Sequence, residues 1–318
     1  MHPVPVGRIF YLRGTIMLKG LVITPPVLGR ISIGKVVEKA GKRLPEKDDQ
    51  FTITSQVQSA EGWLPHPFDE GFRKAQGGKI RSIPIRLLFN DPDLNFRAEY
   101  ALFDRRTGRP VCVGNGETCK RRTESGVQSL PCPSPEGCTL AQNGACKPYG
   151  RLNVQIGDDD PLGNFVFRTT GFNSIRTLSA RLAYFQAISG NRLAYLPLEL
   201  RLRGKSTRQS MGTPIYYVDL TVRSGVSVED ALAEAKRLEE DRQEAGFDQV
   251  ALEAAARQGF SNGAFEESDD EGELVVEEFY PEGNSVPGVP VLASEKSTAP
   301  SLAEKLENRM VRLGSDVE

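Results

Sequence analysis

Residues 151–203 read RLNVQIGDDDPLGNFVFRTTGFNSIRTLSARLAYFQAISGNRLAYLPLELRLR, and the reading of this stretch decides the fold. Arg151–Gly157 and Asn164–Thr170 alternate apolar and polar residues at the two-residue period of a strand, and the DDDPLG between them reads as a hairpin loop. The period then changes. Ile175, Leu178, Leu182 and Phe185 share one face at helical spacing, with Asn173 or Ser174 where a cap belongs and Gly190 where the helix stops. Leu196, Leu198, Leu200 and Leu202 line one face of a further strand, with Glu199, Arg201 and Arg203 on the other, and Ile215–Arg223 makes a last strand. Strand, strand, helix, strand, strand predicts an α+β fold, a largely antiparallel sheet packed with helices.

Working outward, strand patterns recur upstream. Gly29–Lys35 and Phe51–Gln56 read as strands with a turn over Lys42–Asp49, and Ile80–Phe89, Phe96–Phe103 and Pro110–Val113 follow. Downstream, Ser227 with Asp230 forms a capping box for a helix to about Glu244, and a second helical stretch lies near Asp248–Gln258. Residues 264–301 turn acidic and then Pro- and Gly-containing, the composition of disorder, before a short amphipathic stretch at Leu302–Leu313. The expected organisation is an arm at 1–16, an α+β part at 17–107, a cysteine-rich insertion at 108–150, a second α+β part at 151–225, a helical extension at 226–260 and an acidic, mostly disordered tail at 261–318.

All five cysteines fall between Cys112 and Cys146, in a segment rich in Gly, Pro, Ser and Thr that has little apolar surface of its own to bury. Four thiolates around zinc staple such a loop, and a site closed by four sulfurs is structural because it leaves no position for water. The expected ligands are Cys119, Cys132, Cys138 and Cys146, forming a zinc knuckle; Cys112, inside the apolar run RPVCV, is assigned to the core. Lys120, Arg121, Arg122 and Lys147 flank these ligands and make a candidate phosphate or protein contact, with ordinary solvated charge as the plain alternative.

The formal net charge of −2 conceals an asymmetry. From Val226 onward there are 23 Asp and Glu against 8 Lys and Arg, so the preceding residues are strongly basic. A basic body suits nucleic acid through counterion release. A second basic site is expected on the outward face of the late strands, from Arg201, Arg203, Lys205, Arg208 and Arg223 with Tyr217 among them, where a ring stacks on a base; a solvated sheet face explains the same charges. No run of eighteen apolar residues occurs, so no membrane span is expected, and the start lacks the features of a secretory leader. A cytoplasmic protein with reduced thiols follows as the expectation.

Catalytic motifs fail on inspection. Gly204-Lys205-Ser206 resembles the end of a phosphate-binding loop, but Glu199 stands where glycine is needed. Asp91, Asp93 and Asn95 open a calcium loop that Phe96 and Leu102 break. Asp158–Asp160 is material for a magnesium site or for a solvated hairpin loop. There are only two histidines, and His66 sits beside a helix start where a structural role fits.

The block Gly108–Arg223 resembles the recombination directionality factors of phages that integrate with large serine integrases. Cys119, Pro131-Cys132, Cys138, Cys146–Pro148 (CKP), Arg151–Val154 (RLNV), FRTTGFNSI and LPLELRL carry the resemblance, and GRISIG near the start fits it. The chain is also similar to proteins of bacterial integrated elements labelled loosely as hydrolase or metal-binding. The resemblance implies a non-enzymatic factor that binds an integrase on DNA and redirects its coiled-coil arms, so that excision replaces integration. The expected function is therefore a non-catalytic accessory factor in DNA recombination, with a recombinase and DNA as partners. Two alternatives stay open: a single-strand nucleic-acid-binding module using the late-strand face, and a metal-dependent hydrolase centred on Asp158–Asp160.

Overall fold

The structure, a computed structural model, describes residues 26–39, 42–59, 62–158, 163–206, 214–260 and 279–280. The arm at 1–16, Arg208, Asp159 and Asp160, the Leu302–Leu313 stretch and nearly all of the acidic tail lie outside the described residues. In chain order the first elements are β1 (Val27–Lys39), β2 (Lys42–Ser59), β3 (Gly62–Pro65), α1 (Pro67–Ala75), β4 (Ser82–Arg86) and α2 (Pro92–Asn95). Then come β5 (Phe96–Phe103), β6 (Pro110–Gly114), β7 (Thr118–Thr123), β8 (Gly126–Pro131), α3 (Ser134–Gly137), β9 (Lys147–Ile156) and β10 (Asn164–Thr169). The last are α4 (Phe172–Ile188), β11 (Leu198–Lys205), β12 (Ile215–Val222), α5 (Val228–Glu244) and α6 (Gln249–Phe260). The expected α+β class with a mostly antiparallel sheet and several helices is what the chain forms.

One path through the sheet runs β3-β2-β1-β10-β9-β5-β6-β7-β8. Only β1 against β10 is parallel among the pairings described. The sheet forks at β9: its first half pairs with β5, Leu152 opposite Phe96, while its end pairs with β4, Ile156 opposite Ile85. From β4 the branch continues through β11 to β12. α4 lays Ile175, Leu178, Leu182 and Phe185 onto this fork, packing on β12, β9 and β5. Leu178 and Leu182 are fully buried, each worth about 1.5–3 kcal/mol on transfer from water. Phe51, Ile53, Ile83, Ile85, Phe165 and Phe167 meet them from the sheet in one continuous core.

Three local expectations shift. The Lys42–Asp49 turn is strand instead, because β1 and β2 pair onward to Lys39 opposite Lys42. The helix caps at Gly171 rather than Asn173 or Ser174. Ser174 is drawn inside, where its Oγ accepts from the Val218 N–H of β12 at 3.1 Å, a tertiary bond outweighing the local cap. The cysteine segment does not leave the sheet but extends it, through β6, β7 and β8.

α5 and α6 dock through named polar contacts. Ser227 Oγ accepts from the Asp230 N–H at 3.0 Å and starts α5, as the capping box predicts. Ala231 and Ala235 bury fully against the core, and Glu239 accepts from Arg192 Nε at 2.6 Å. Arg86, almost wholly buried, donates to Asp158 (2.5 Å), to Glu234 of α5 (2.5 Å) and to the Tyr195 carbonyl (2.6 Å). α6 supplies Glu253, which accepts from the buried Asn90 N–H at 2.6 Å, and Gln249, which donates to the Leu88 carbonyl at 3.0 Å.

Candidate functional site

On β6 and β7, Cys112 stands opposite Arg121 and Gly114 opposite Cys119. Side chains alternate along a strand and directly opposed residues share a face, so Cys112, Gly114, Cys119 and Arg121 point the same way. Val113, one residue off, points the other way and is also buried. Cys132 follows β8 and is pinned by its N–H to the Glu117 carbonyl at 2.8 Å. Cys138 follows α3, and Cys146 immediately precedes β9.

All five thiols are free; Cys132 Sγ comes close to Gly114 on this face, and the other four cysteines lie near enough to Cys146 to act on its charge. Cys119 Sγ donates to the Pro131 carbonyl at 3.7 Å. A Cβ at Gly114 would lie 2.6 Å from Cys119 Cβ and 3.0 Å from Cys132 Sγ, so glycine is what lets the sulfurs close in. Burial, with Cys112 and then Cys132 beside it, pushes the Cys119 thiol up to about 11. Burial pushes Cys146 up to about 12, and the other four cysteines add to it. The Arg121 guanidinium lies 3.9 Å from Cys119 Sγ and is held above its ordinary range, first by its hydrogen bond to Cys112. Cys112 therefore belongs to the cluster and not to the core as the sequence reading has it; strand alternation sends its neighbours Val111 and Val113 the other way.

The donor set fits zinc in type and number, since five soft sulfurs exceed the four a tetrahedral site takes. As they stand, no three His, Cys, Asp or Glu among the described residues are drawn close enough to hold a metal ion. The sulfurs are gathered without being closed into a tetrahedron.

The flanking cations do not form one patch. Arg121 faces the thiols, whereas Lys120 and Arg122 alternate onto the opposite face of β7, Lys120 half-buried and Arg122 exposed. Lys147 lies over the rings of Phe279 and Tyr280, at 5.4 and 5.3 Å, and burial lowers its pKa. On the late strands, Arg201 and Arg203 do project from one face as expected, but carboxylates meet them. Arg201 Nε donates to the buried Glu199 at 2.8 Å, and Asp219 takes Arg203 at 3.4 Å and Arg181 of α4 at 3.1 Å. Lys205 donates to Asn173 at 2.8 Å and lies 5.9 Å from the centre of the Tyr217 ring. Arg223 pairs with Asp158 at 2.8 Å. Sequence alternation puts Glu199 on the same face as Arg201 and Arg203; Asp219 joins them through register across β11 and β12, which sets it opposite Arg201.

Asp158, from the loop offered as a magnesium site, is held below the usual carboxylate range by Arg223 and Arg86. His66 caps α1, its Nδ1 accepting from the Phe68 N–H at 3.2 Å, and burial lowers its pKa. A cleft between α2, α4 and α6 is lined by Asp91, Asp93, Gln186, Glu253 and Arg257, and the last pairs with Asp91 at 2.9 Å.

Residues 28–223 match the model of a family described as Gp3-like, recombination directionality factor-like. The chain belongs to that family. Searches of the curated proteins and of the solved structures found no match. In this recombination directionality factor-like chain the match begins in β1 and ends just after β12, so it takes in the forked sheet, the thiol cluster and α4. It reaches well upstream of the Gly108–Arg223 block on which the resemblance rests. α5, α6 and the acidic extension lie beyond it. No helix of the described residues is long and apolar enough to cross a membrane.

Proposed function

We propose that this chain is a non-catalytic accessory factor in the DNA recombination of a phage or integrated element, binding a site-specific recombinase of the integrase kind on its DNA. The family match across the whole forked sheet carries this reading. The pairing of Asp158 with two arginines and the use of His66 Nδ1 as a helix cap weigh against the hydrolase alternative, because both groups have structural work in the fold. The carboxylates opposing Arg201 and Arg203 weigh against an isolated single-strand binder on that face. The face of β7 turned away from Arg121, with the half-buried Lys120 and the exposed Arg122, is the contact we assign to DNA phosphate or recombinase.

Such a factor acts by population shift. It favours the excising arrangement of the recombinase only by the difference in its affinity for the two arrangements, and moving a 1:99 equilibrium to 99:1 takes about a 10⁴-fold difference. The thiol cluster holds zinc in this reading, as a structural crosslink of β6, β7 and the segment leading into β9. Cys132, Cys138 and Cys146 each supply a sulfur, with Cys119 and its neighbour Cys112 competing for the fourth position.

The test uses the full chain with purified integrase from the same element and both integrative and excisive DNA substrates. Excision appears only with the factor present, and the factor alone neither cuts DNA nor shifts it strongly. Unchanged integrase products together with a steeply salt-dependent shift of DNA by the chain alone would overturn the reading in favour of a nucleic-acid-binding module. Elemental analysis of protein purified without chelator reads one zinc per chain. A value near zero removes zinc from the account.

A further inference from the structure

Phe279 and Tyr280 come from the acidic extension yet sit on the sheet. Phe279 is fully buried in a small apolar cluster with Ala101, Phe103 and Tyr149, apart from the main core. Its ring meets Phe103 at 4.9 Å and Tyr149 at 5.9 Å, both edge to face, the geometry aromatic pairs favour. Tyr280 lies beside it with its hydroxyl donating to the Phe103 carbonyl at 2.9 Å. Arg105 covers the Tyr280 ring at 4.3 Å, and Lys147 lies near both rings while donating to the Phe279 carbonyl at 3.1 Å.

The socket is built by strand alternation. Ala101 and Phe103 of β5 share a face, and Lys147 of β9 stands opposite Ala101 with Tyr149 two residues on. One aromatic is swallowed whole and the next is clamped by cations with its polar tip bonded, as anchor residues are held in peptide-recognition pockets. The segment's sequence is complementary in charge: in ELVVEEFYPEG, residues 273–283, Glu277 and Glu278 precede the aromatic pair and Glu282 follows it, while Arg105 and Lys147 rim the socket.

We propose that this face of β5 and β9 is a recognition site for an acidic peptide bearing a Phe-Tyr pair, and that residues 273–283 of the same chain are its ligand, bound in cis. Seated there, the segment covers Lys147 and abuts the thiol cluster, since the Ala145 carbonyl before Cys146 lies 3.5 Å from the Tyr280 hydroxyl. Release of the segment uncovers an aromatic and cationic surface one residue from a candidate metal ligand. The proposal stands whether or not the chain binds an integrase.

The test is fluorescence anisotropy with a labelled peptide of residues 273–283 titrated with the full-length chain. The wild type, its socket filled, captures the peptide at least tenfold more weakly than the Phe279→Ala/Tyr280→Ala variant. Arg105→Glu at the rim of that variant weakens capture at least fivefold without touching the apolar floor, and a peptide with both aromatics replaced by alanine is not captured. Equal capture by wild type and double variant, no capture by the double variant, or capture that ignores the aromatics would each overturn the proposal. So would a wild-type dimer that the double substitution turns into a monomer, because the segment would then be exchanged between two copies.

Discussion

Replacing Arg86 by methionine tests whether one buried guanidinium ties the forked sheet to the helices that follow it. Arg86 is 8 % exposed and joins three separate places: the end of β9 through Asp158, the turn before β11 through the Tyr195 carbonyl, and α5 through Glu234. The three bonds are not equal. Asp158 and Glu234 are 47 % and 31 % exposed, so water takes over much of their loss, and each is worth about 0–1 kcal/mol after screening. The Tyr195 bond is buried, and a carbonyl left there without a donor costs about 1–3 kcal/mol. Arg86→Met therefore destabilises by about 1–5 kcal/mol, lowering the urea midpoint by about 0.3–1.7 M for a slope near 3 kcal/mol/M. The pH dependence adds a second readout. Asp158 has its folded pKa depressed by Arg223 and Arg86, so its contribution is present above the unfolded carboxylate value and fades as pH falls through the lower folded value. In Arg86→Met only Arg223 remains to depress it, so the acid-side loss of stability is smaller than in the wild type. A midpoint shift under about 0.3 M, or an unchanged acid limb, would refute the reasoning.

Three further outcomes follow from single contacts. Ser227→Ala removes the cap of α5 and costs about 1 kcal/mol, read as faster amide exchange across the first turn of that helix. Glu253→Ala leaves the buried Asn90 N–H without its acceptor and costs about 1–3 kcal/mol by urea unfolding, whereas Glu253→Gln, which keeps a carbonyl oxygen, costs clearly less. Gly114→Ala drives a methyl group against Cys119 Cβ, the Thr118 carbonyl and Cys132 Sγ, so under the proposed zinc site elemental analysis reads less zinc than in the wild type while the rest of the fold persists by circular dichroism.

The candidate site was half legible in the chain. Clustering of the cysteines pointed to one place, and the structure does gather them, but Cys112 was misplaced. In RPVCV its neighbours are apolar and a linear reading gives it their environment, whereas pairing opposite Arg121 turns it toward the other thiols. The cations show the same limit. Their positions on alternating faces follow from spacing, yet whether a charge is neutralised depends on a carboxylate from another strand or helix, such as Asp219 for Arg181 and Arg203. The Phe279 socket had no sequence signal beyond an aromatic pair among acids, because its floor comes from residues more than a hundred positions away.

What the sequence determined by itself is what local periodicity encodes: the α+β class, β5 and β9 through β12 with helix α4 between them, the buried face of that helix and the Ser227 cap. Each rests on residues a few positions apart, where backbone geometry alone sets which side chains share a face. Only the tertiary structure decided the fork at β9, the continuation of the sheet through the cysteine segment, the company of Cys112 and the seat of Phe279. Those depend on register between distant strands, and a one-residue slip in register changes every side chain's face without changing the pattern along either strand.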